Sequence, residues 1–426
     1  MLREIVQNHD IAFSNRPRST AAKALFYGCT DFGFTPYGEY WRQVRKISFV
    51  NLLSLRKVEW FQFVRDEEVE ELINKIRRAS VKSESINLSE MLMAVSTNIV
   101  SRCVFGKKLS GEEDKFGELS RRISVLMLSF CVGDMFPYLR WMDLLTGFIP
   151  SLKQVSRELD VLFDKLIKDI ALELEDDDDD EDDIKKDDFV STILRLQRDG
   201  LLEMDLNIKA ILVNMFVGGA DTTSTTIEWV MAELMKHPNV MKKVQEEVRN
   251  VVGKGKGNKS KVMVNAEDIN KMEYLKCVIK ETLRIHPPAP LAPRETMASV
   301  KLGGYDIPAN ITVFINSFAI HRDPNWWDDP EEFIPERFEN SSVDYKGQDL
   351  EFIPFGYGRR GCPGILFGIA TLQCVMANLV YWFDWKLPAG EIPHNLDMTE
   401  LNGLAIKKKR PLHVLPLMSH LSSFQV

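Results

Sequence analysis

The six cysteines (29, 103, 131, 277, 362 and 374) are scattered along 426 residues, and no C-x-x-C pair occurs among them. This spacing excludes a small disulfide-stapled frame, and a reduced, cytosol-facing protein is expected. No segment of about 18 apolar residues is present and the first residues lack a signal-peptide pattern, so no bilayer span is expected. The seven histidines contain no H-x-x-x-H spacing. His286, before Pro287-Pro288, and His321, in His321-Arg322-Asp323-Pro324, read as turn or cap residues, which argues against a non-haem metal centre. No internal repeat occurs. Nor is there a basic stripe interleaved with aromatics, so nucleic acid is not an expected partner; Lys407-Lys408-Lys409-Arg410 reads as a surface feature.

What is present describes one large domain. Hydrophobic residues make up 45% of the chain and aromatics 10%, enough for a sizeable core. The formal charge of −8 is uneven, because residues 173–183 hold ten of the 62 acidic residues while 54 basic ones are spread elsewhere. That acidic block reads as a solvated loop between helices, and residues 253–261 (GKGKGNKSK) as a second surface loop. Helical periodicity predicts helices over 58–77, 207–236 and 268–285. The best strand candidates are short, at 300–302, 312–316 and 412–415, with Gly303-Gly304 as a turn. The predicted class is mainly α with a minor β part.

The chemistry concentrates in Phe355-Gly356-Tyr357-Gly358-Arg359-Arg360-Gly361-Cys362-Pro363-Gly364. One cysteine sits in a glycine-rich loop just before the apolar helix 365–382, near the positive end of a helix dipole, which predicts a lowered thiol pKa. Glycines at 358, 361 and 364 leave room for backbone N–H groups to face the sulfur and for a flat ligand to approach. The plainer alternative is a buried cysteine packed as a small hydrophobe. Gly356, Gly358 and Gly361 also spell G-x-G-x-x-G, a dinucleotide fingerprint, but Pro354 and Pro363 interrupt the strand and turn it needs, and no strand-helix repeat surrounds it.

A second signal lies inside helix 207–236. Gly218-Gly219 costs it about 2 kcal/mol against alanine, and Asp221, Thr222, Thr223, Thr225 and Thr226 follow. A glycine pair before hydroxyl residues lets a helix widen or kink, freeing backbone groups beside a small ligand; the alternative is a solvated acid beside a helix-facing threonine. Glu281 and Arg284 lie three apart on one helix and can pair. Trp41 and Arg45 lie four apart, where an indole N–H and a guanidinium could hold a carboxylate, or simply pack as a cation–π pair.

Phe355, Gly358, Arg360, Cys362 and Gly364 fall on the fixed positions of F-x-x-G-x-R-x-C-x-G, and the chain thereby resembles the cytochrome P-450 monooxygenases. Trp41-x-x-x-Arg45, Gly218-Gly219-Ala220-Asp221-Thr222-Thr223, Glu281-x-x-Arg284 and Pro335-Glu336-Arg337-Phe338 follow the family pattern in order. The wording around them is similar to plant microsomal hydroxylases of specialised metabolism. The resemblance implies one catalytic domain over 1–426, with haem b (iron protoporphyrin IX) held through Cys362 as axial ligand of its iron. Phe355 and Gly364 would flank that ligand, and Trp41, Arg45, Arg294 and Arg360 would contact the haem propionates. It implies Thr222 and Asp221 as proton relay, and Glu281, Arg284 and Arg337 as a buried network behind the loop. Met215, Phe216, Gly219, Ala220, Leu291 and Leu404 are the expected pocket lining. Segment 289–292 is one residue shorter than usual in such chains.

The implied partners are an NADPH-dependent flavoprotein reductase, docking near Arg42, Lys46 and Arg359, together with O2, a small apolar substrate and the cytosolic face of the endoplasmic reticulum membrane. The family's anchor, hinge and first strands have no counterpart here, so a truncated chain is expected. Two alternatives remain open at this point: an inactive or haem-poor remnant, and a haem-thiolate isomerase or dehydratase.

Overall fold

In a computed structural model the described residues are 1–109, 113–175, 188–202, 206–254 and 263–419. The acidic run from 176 onward and loop residues 255–261 lie outside them, while Glu173 belongs to helix Phe148–Glu175 and pairs with Lys107.

The molecule is built around the predicted helix 207–236, which the structure divides into three parts. Asn207 starts it by accepting from the Ala210 N–H, and it runs as α-helix over Ile208–Phe216. Val217–Asp221 winds as a π turn, and Thr222–Lys236 resumes the α-helix. Glycines at 218 and 219 make the wider turn accessible, and single π turns of this kind recur at functional sites. The helix ends at His237, whose φ of −119° and ψ of 77° lie outside the helical region that a following proline disfavours. Helix Leu88–Phe105 packs along the π turn on one side, while Ile365–Trp382 and Glu273–Ile285 pack against Thr222–Lys236.

Helix Ile365–Trp382 corrects one expectation. It is long and apolar enough to cross a bilayer, but 72% of it is buried inside the protein. The interspersed Gly368, Thr371 and Asn378 hide this hydropathy from a search for an unbroken run. Asn378 accepts from the Val264 N–H at 3.0 Å, a polar tie to a neighbouring segment that suits a core helix.

The other predicted helices break where local geometry intervenes. Phe61 separates Leu55–Trp60 from Gln62–Val81, and residues 270–272 separate Ala266–Ile269 from Glu273–Ile285. The β part is small and antiparallel. His413–Met418 pairs with Ile86–Asn87 and Phe383–Lys386, Leu291–Glu295 with Thr312–Asn316, Val300–Leu302 with Tyr305–Ile307, and Glu400–Leu401 with Lys407–Lys408. Gly303 and Gly304 turn the third hairpin with φ of 57° and 87°, a region that favours glycine. Leu291–Glu295 went unpredicted because Pro293 sits inside it, a residue tolerated at a sheet edge.

Candidate active site

The cysteine loop folds on itself through its own backbone. Cys362 N–H donates to the Phe355 carbonyl at 2.8 Å, and Gly364 N–H reaches the Cys362 sulfur at 3.3 Å. Gly356 and Gly358 take φ of 72° and 60°. A side chain at Gly358 would also collide with Asp10 Oδ1, so the loop packs tightly at that point. Phe355 sits edge-on to Tyr345 at 5.8 Å. Cys362 is exposed, whereas the other five cysteines are buried. The surrounding protein nevertheless pushes its thiol pKa up; the Gly364 N–H, Arg45 and Arg16 pull the other way without prevailing. The lowered pKa predicted from the helix dipole is therefore overturned, because desolvation outweighs it.

Four guanidiniums gather beside this loop. Arg360 is buried and donates to the carbonyls of Ser14 and Thr35; burial first, then Arg16, Arg294 and Arg45, lower its pKa to about 9. Arg45 donates to the Gly361 carbonyl at 2.6 Å, and Arg294 to that of Pro293 at 3.0 Å. Arg16, which stands in no motif of the sequence, completes the group. Its pKa falls to about 10, mainly through burial and then through Arg294, and its buried Nε has no hydrogen-bond partner. The carboxylate acting on Arg16 is Asp31, itself raised to about 6 by burial. Four mutually repelling cations with an orphaned donor and one weakened acid form a site suited to an added dianion. The two propionates of a haem fit it.

Trp41 makes the cation–π packing given above as the alternative, and its indole N–H is engaged by the backbone. That group donates to the Phe32 carbonyl at 2.9 Å, and the ring lies under Arg360 at 4.5 Å and Arg45 at 5.4 Å. Trp41 thus shapes the anion site as an aromatic platform for two arginines.

In the central helix, Thr222 Oγ1 donates to the Gly218 carbonyl at 2.6 Å. Asp221 is buried, accepts from Ser124 Oγ at 3.1 Å and forms an ion pair with Lys407. The basic run 407–410 is accordingly more than a surface feature: Lys408 is buried as well, over the Trp229 ring at 5.4 Å.

Behind the loop, Glu281 and Arg284 are wholly buried and joined by two bonds of 2.8 Å, with Arg337 Nε donating to Glu281 at 3.0 Å. Arg284 also donates to the carbonyls of His321, Pro330 and Glu332. His321 is the turn and cap residue expected, closing helix Ser317–Ile320, and it also makes a buried bridge. It accepts at Nε2 from the Ile353 N–H (2.9 Å), which leaves Nδ1 to donate to the Arg284 carbonyl (3.2 Å), so a neutral ring links the network to the segment entering the cysteine loop. Burial lowers its pKa to about 3. His286 is likewise buried, stacked on Trp229 at 4.0 Å and bonded to Glu233 at 2.7 Å.

The expected pocket lining divides. Leu404 is half-buried and Leu291 is 51% exposed, while Gly218, outside the expected lining, is open. Met215 and Ala220 are buried. Phe216 stacks on Phe105 at 5.5 Å, and a side chain at Gly219 would meet Val100 at 3.0 Å, so both face helix Leu88–Phe105 rather than a ligand.

An open cysteine on glycine hinges, an arginine cage and a π-wound helix carrying a hydroxyl define the framework of a haem-thiolate protein. Comparison agrees with the geometry: the cytochrome P450 family model matches residues 1–415, and the chain belongs to that family. It is 50% identical over 425 residues to phenylacetaldehyde oxime monooxygenase CYP71AN24 of Prunus mume, covering 98% of this chain and 79% of that one. Cytochrome P450 71A1 of Persea americana is 48% identical (97% and 82% covered), and 5-epiaristolochene 1,3-dihydroxylase of Nicotiana tabacum 40% (97% and 81%). Among solved structures, zebra fish cytochrome P450 with abiraterone superposes with a TM-score of 0.77 at 24% identity, covering 98% of this chain and 92% of that one. This is a cytochrome P450 monooxygenase, with haem b as cofactor and electrons drawn from NADPH through a reductase.

Proposed function

We propose that the enzyme, acting as one catalytic domain over 1–426, inserts one atom of dioxygen into a small apolar plant metabolite and reduces the other to water. The observation that carries this reading is the open Cys362 sulfur beside four convergent arginines, since it brings a sulfur ligand and an anion site to one place. Haem held through Cys362, with Arg16, Arg45, Arg294 and Arg360 toward its propionates, supplies the redox chemistry of oxygen activation.

The chain's own residues do the rest. Thr222, anchored on the Gly218 carbonyl, keeps oxygen lone pairs free to accept and hand on a proton, and Asp221 is the buried acid next to it. Glu281, Arg284, Arg337 and His321 hold the loop from behind. Gly218, Ala220, Leu291 and Leu404 are the proposed substrate contacts. The relatives named for an aldehyde oxime and for 5-epiaristolochene point to a substrate of similar size and low polarity. Exposed Arg42, Lys46 and Arg359 form the proposed reductase face. Phe130, Met135, Phe136, Trp141 and Leu145 are all more than half exposed and would rest on the cytosolic face of the endoplasmic reticulum.

Reconstitution with a plant flavoprotein reductase, NADPH and isotopically labelled dioxygen tests this against a panel of aromatic oximes and sesquiterpenes. One labelled oxygen atom per product is expected. Products formed without label would refute the monooxygenase reading for this chain.

A further inference from the structure

One buried ring lies where the central helix meets the two segments that carry Leu291 and Leu404. His286 closes helix Glu273–Ile285 with its N–H on the Thr282 carbonyl at 2.7 Å, and its side chain is almost wholly buried. The imidazole lies flat on the Trp229 indole, with ring centres 4.0 Å apart and 4° between the planes. Stacking fixes the plane of the ring, so its two nitrogens reach partners at its edges. Nε2 meets Glu233 Oε1 of the central helix at 2.7 Å, and Nδ1 faces Glu400 Oε1 at 3.4 Å, in the hairpin that pairs Glu400–Leu401 with Lys407–Lys408.

The same hairpin is tied down near its tip. Ile406 N–H donates to the Pro288 carbonyl, and the Ile406 carbonyl accepts from Trp229 Nε1, both at 2.9 Å. The chain leaving His286 is held as well, since the Pro290 carbonyl accepts from the Ser317 N–H at 2.8 Å and from its hydroxyl at 2.9 Å. The bonds of Ile406 fix one point of the hairpin, and Glu400 on His286 fixes a second, which sets its tilt. We propose that His286 is a positioning residue for substrate selectivity: through Glu233 and Glu400 it holds the hairpin against the central helix, and with it the space between Leu404 and Leu291. The inference rests on the reading of Leu291 and Leu404 as substrate contacts.

The test uses holoenzyme carrying Glu400→Met, Glu400→Gln, His286→Phe, Leu404→Trp, and Lys409→Met as control. Imidazole and 1-phenylimidazole are titrated onto the haem iron and followed by the Soret shift of a nitrogen ligand, with urea unfolding recorded alongside. The smaller ligand reports on the iron, and the phenyl group of the larger one on the walls around it. Glu400→Met and His286→Phe are expected to leave imidazole binding within about twofold and to change the ratio of the two dissociation constants about fivefold, the worth of one net hydrogen bond. Glutamine keeps an oxygen that accepts from the ring, so Glu400→Gln should restore the natural ratio. Lys409 is exposed, and Lys409→Met should not move it. An unchanged ratio in Glu400→Met overturns the proposal even where the urea midpoint falls, since the ring would then only stabilise the fold. Equal losses for both ligands overturn it too, because the haem site as a whole would have moved. If His286→Phe does not load haem, the two Glu400 variants decide, since Glu400 keeps a third of its side-chain surface exposed and its loss strands no buried charge. An unchanged ratio in Leu404→Trp refutes the contact reading, while the Glu400 variants still decide whether His286 controls the ligand space.

Discussion

Replacing Glu281 by glutamine removes one charge from a site where no water can replace it. Glu281 accepts from Arg284 Nε and Nη2 at 2.8 Å each, from Arg337 Nε at 3.0 Å and from the Ile334 N–H at 2.8 Å, and neither Glu281 nor Arg284 has any exposed side-chain surface. Glutamine keeps one oxygen for three of these donors but turns an amide N–H₂ toward Arg284 Nε, leaving a donor facing a donor. Breaking a buried pair by removing one partner costs about 3–5 kcal/mol, a large part of the ~5–15 kcal/mol that holds a typical domain together. The expected result is a lower urea midpoint for the holoenzyme and faster haem release, both followed through the Soret band. Glu246→Gln, at an exposed pair of 3.8 Å with Lys242, serves as control and should fall within experimental error. A loss below about 1 kcal/mol for Glu281→Gln would refute the claim that this network is charged, buried and fully paired.

Other outcomes follow from the same geometry. Arg16→Met should fold but bind hemin at least tenfold more weakly in titration, since a charged hydrogen bond contributes about 1.5–3 kcal/mol; unchanged affinity would place the propionates elsewhere. Thr222→Ala should retain the haem spectrum and release more peroxide per NADPH, and unchanged coupling would remove the hydroxyl from the relay. His321 is held neutral, with its folded pKa lowered from 6.5 to about 3. Its contribution is therefore complete above about pH 6.5 and is lost by ~1.4 kcal/mol per unit as the pH falls toward 3. The stability advantage of the natural enzyme over His321→Gln, measured by urea unfolding, should shrink between pH 7 and pH 5, and a constant difference would contradict the neutral bridge.

The residues legible in the sequence were those whose local pattern is costly or rare: a cysteine among glycines, a glycine pair inside a helix, an acid and a base three apart. Gly218-Gly219 indicated a widened helix, and the π turn lies there. The facing of Gly219 was lost at the same place, because a π turn accommodates an extra residue and shifts the helical phase that periodicity relies on. Arg16 and Lys407 carried no local signal. Their roles arise when residues far apart in the chain close around Cys362 and Asp221, and no spacing rule spans that distance. The turn and cap reading of His321 holds, but its bridging role was hidden for a related reason, since burial decides its chemistry. Desolvation likewise reversed the direction assigned to the Cys362 thiol.

The identity of the iron ligand tests the account most directly. Ferrous holoenzyme exposed to carbon monoxide should show the red-shifted Soret band of a thiolate-ligated haem. Cys374→Ser, at a buried cysteine within helix Ile365–Trp382, should keep that band, and Cys362→Ser should lose it while still binding haem. Retention of the thiolate-type band in Cys362→Ser would contradict the central claim.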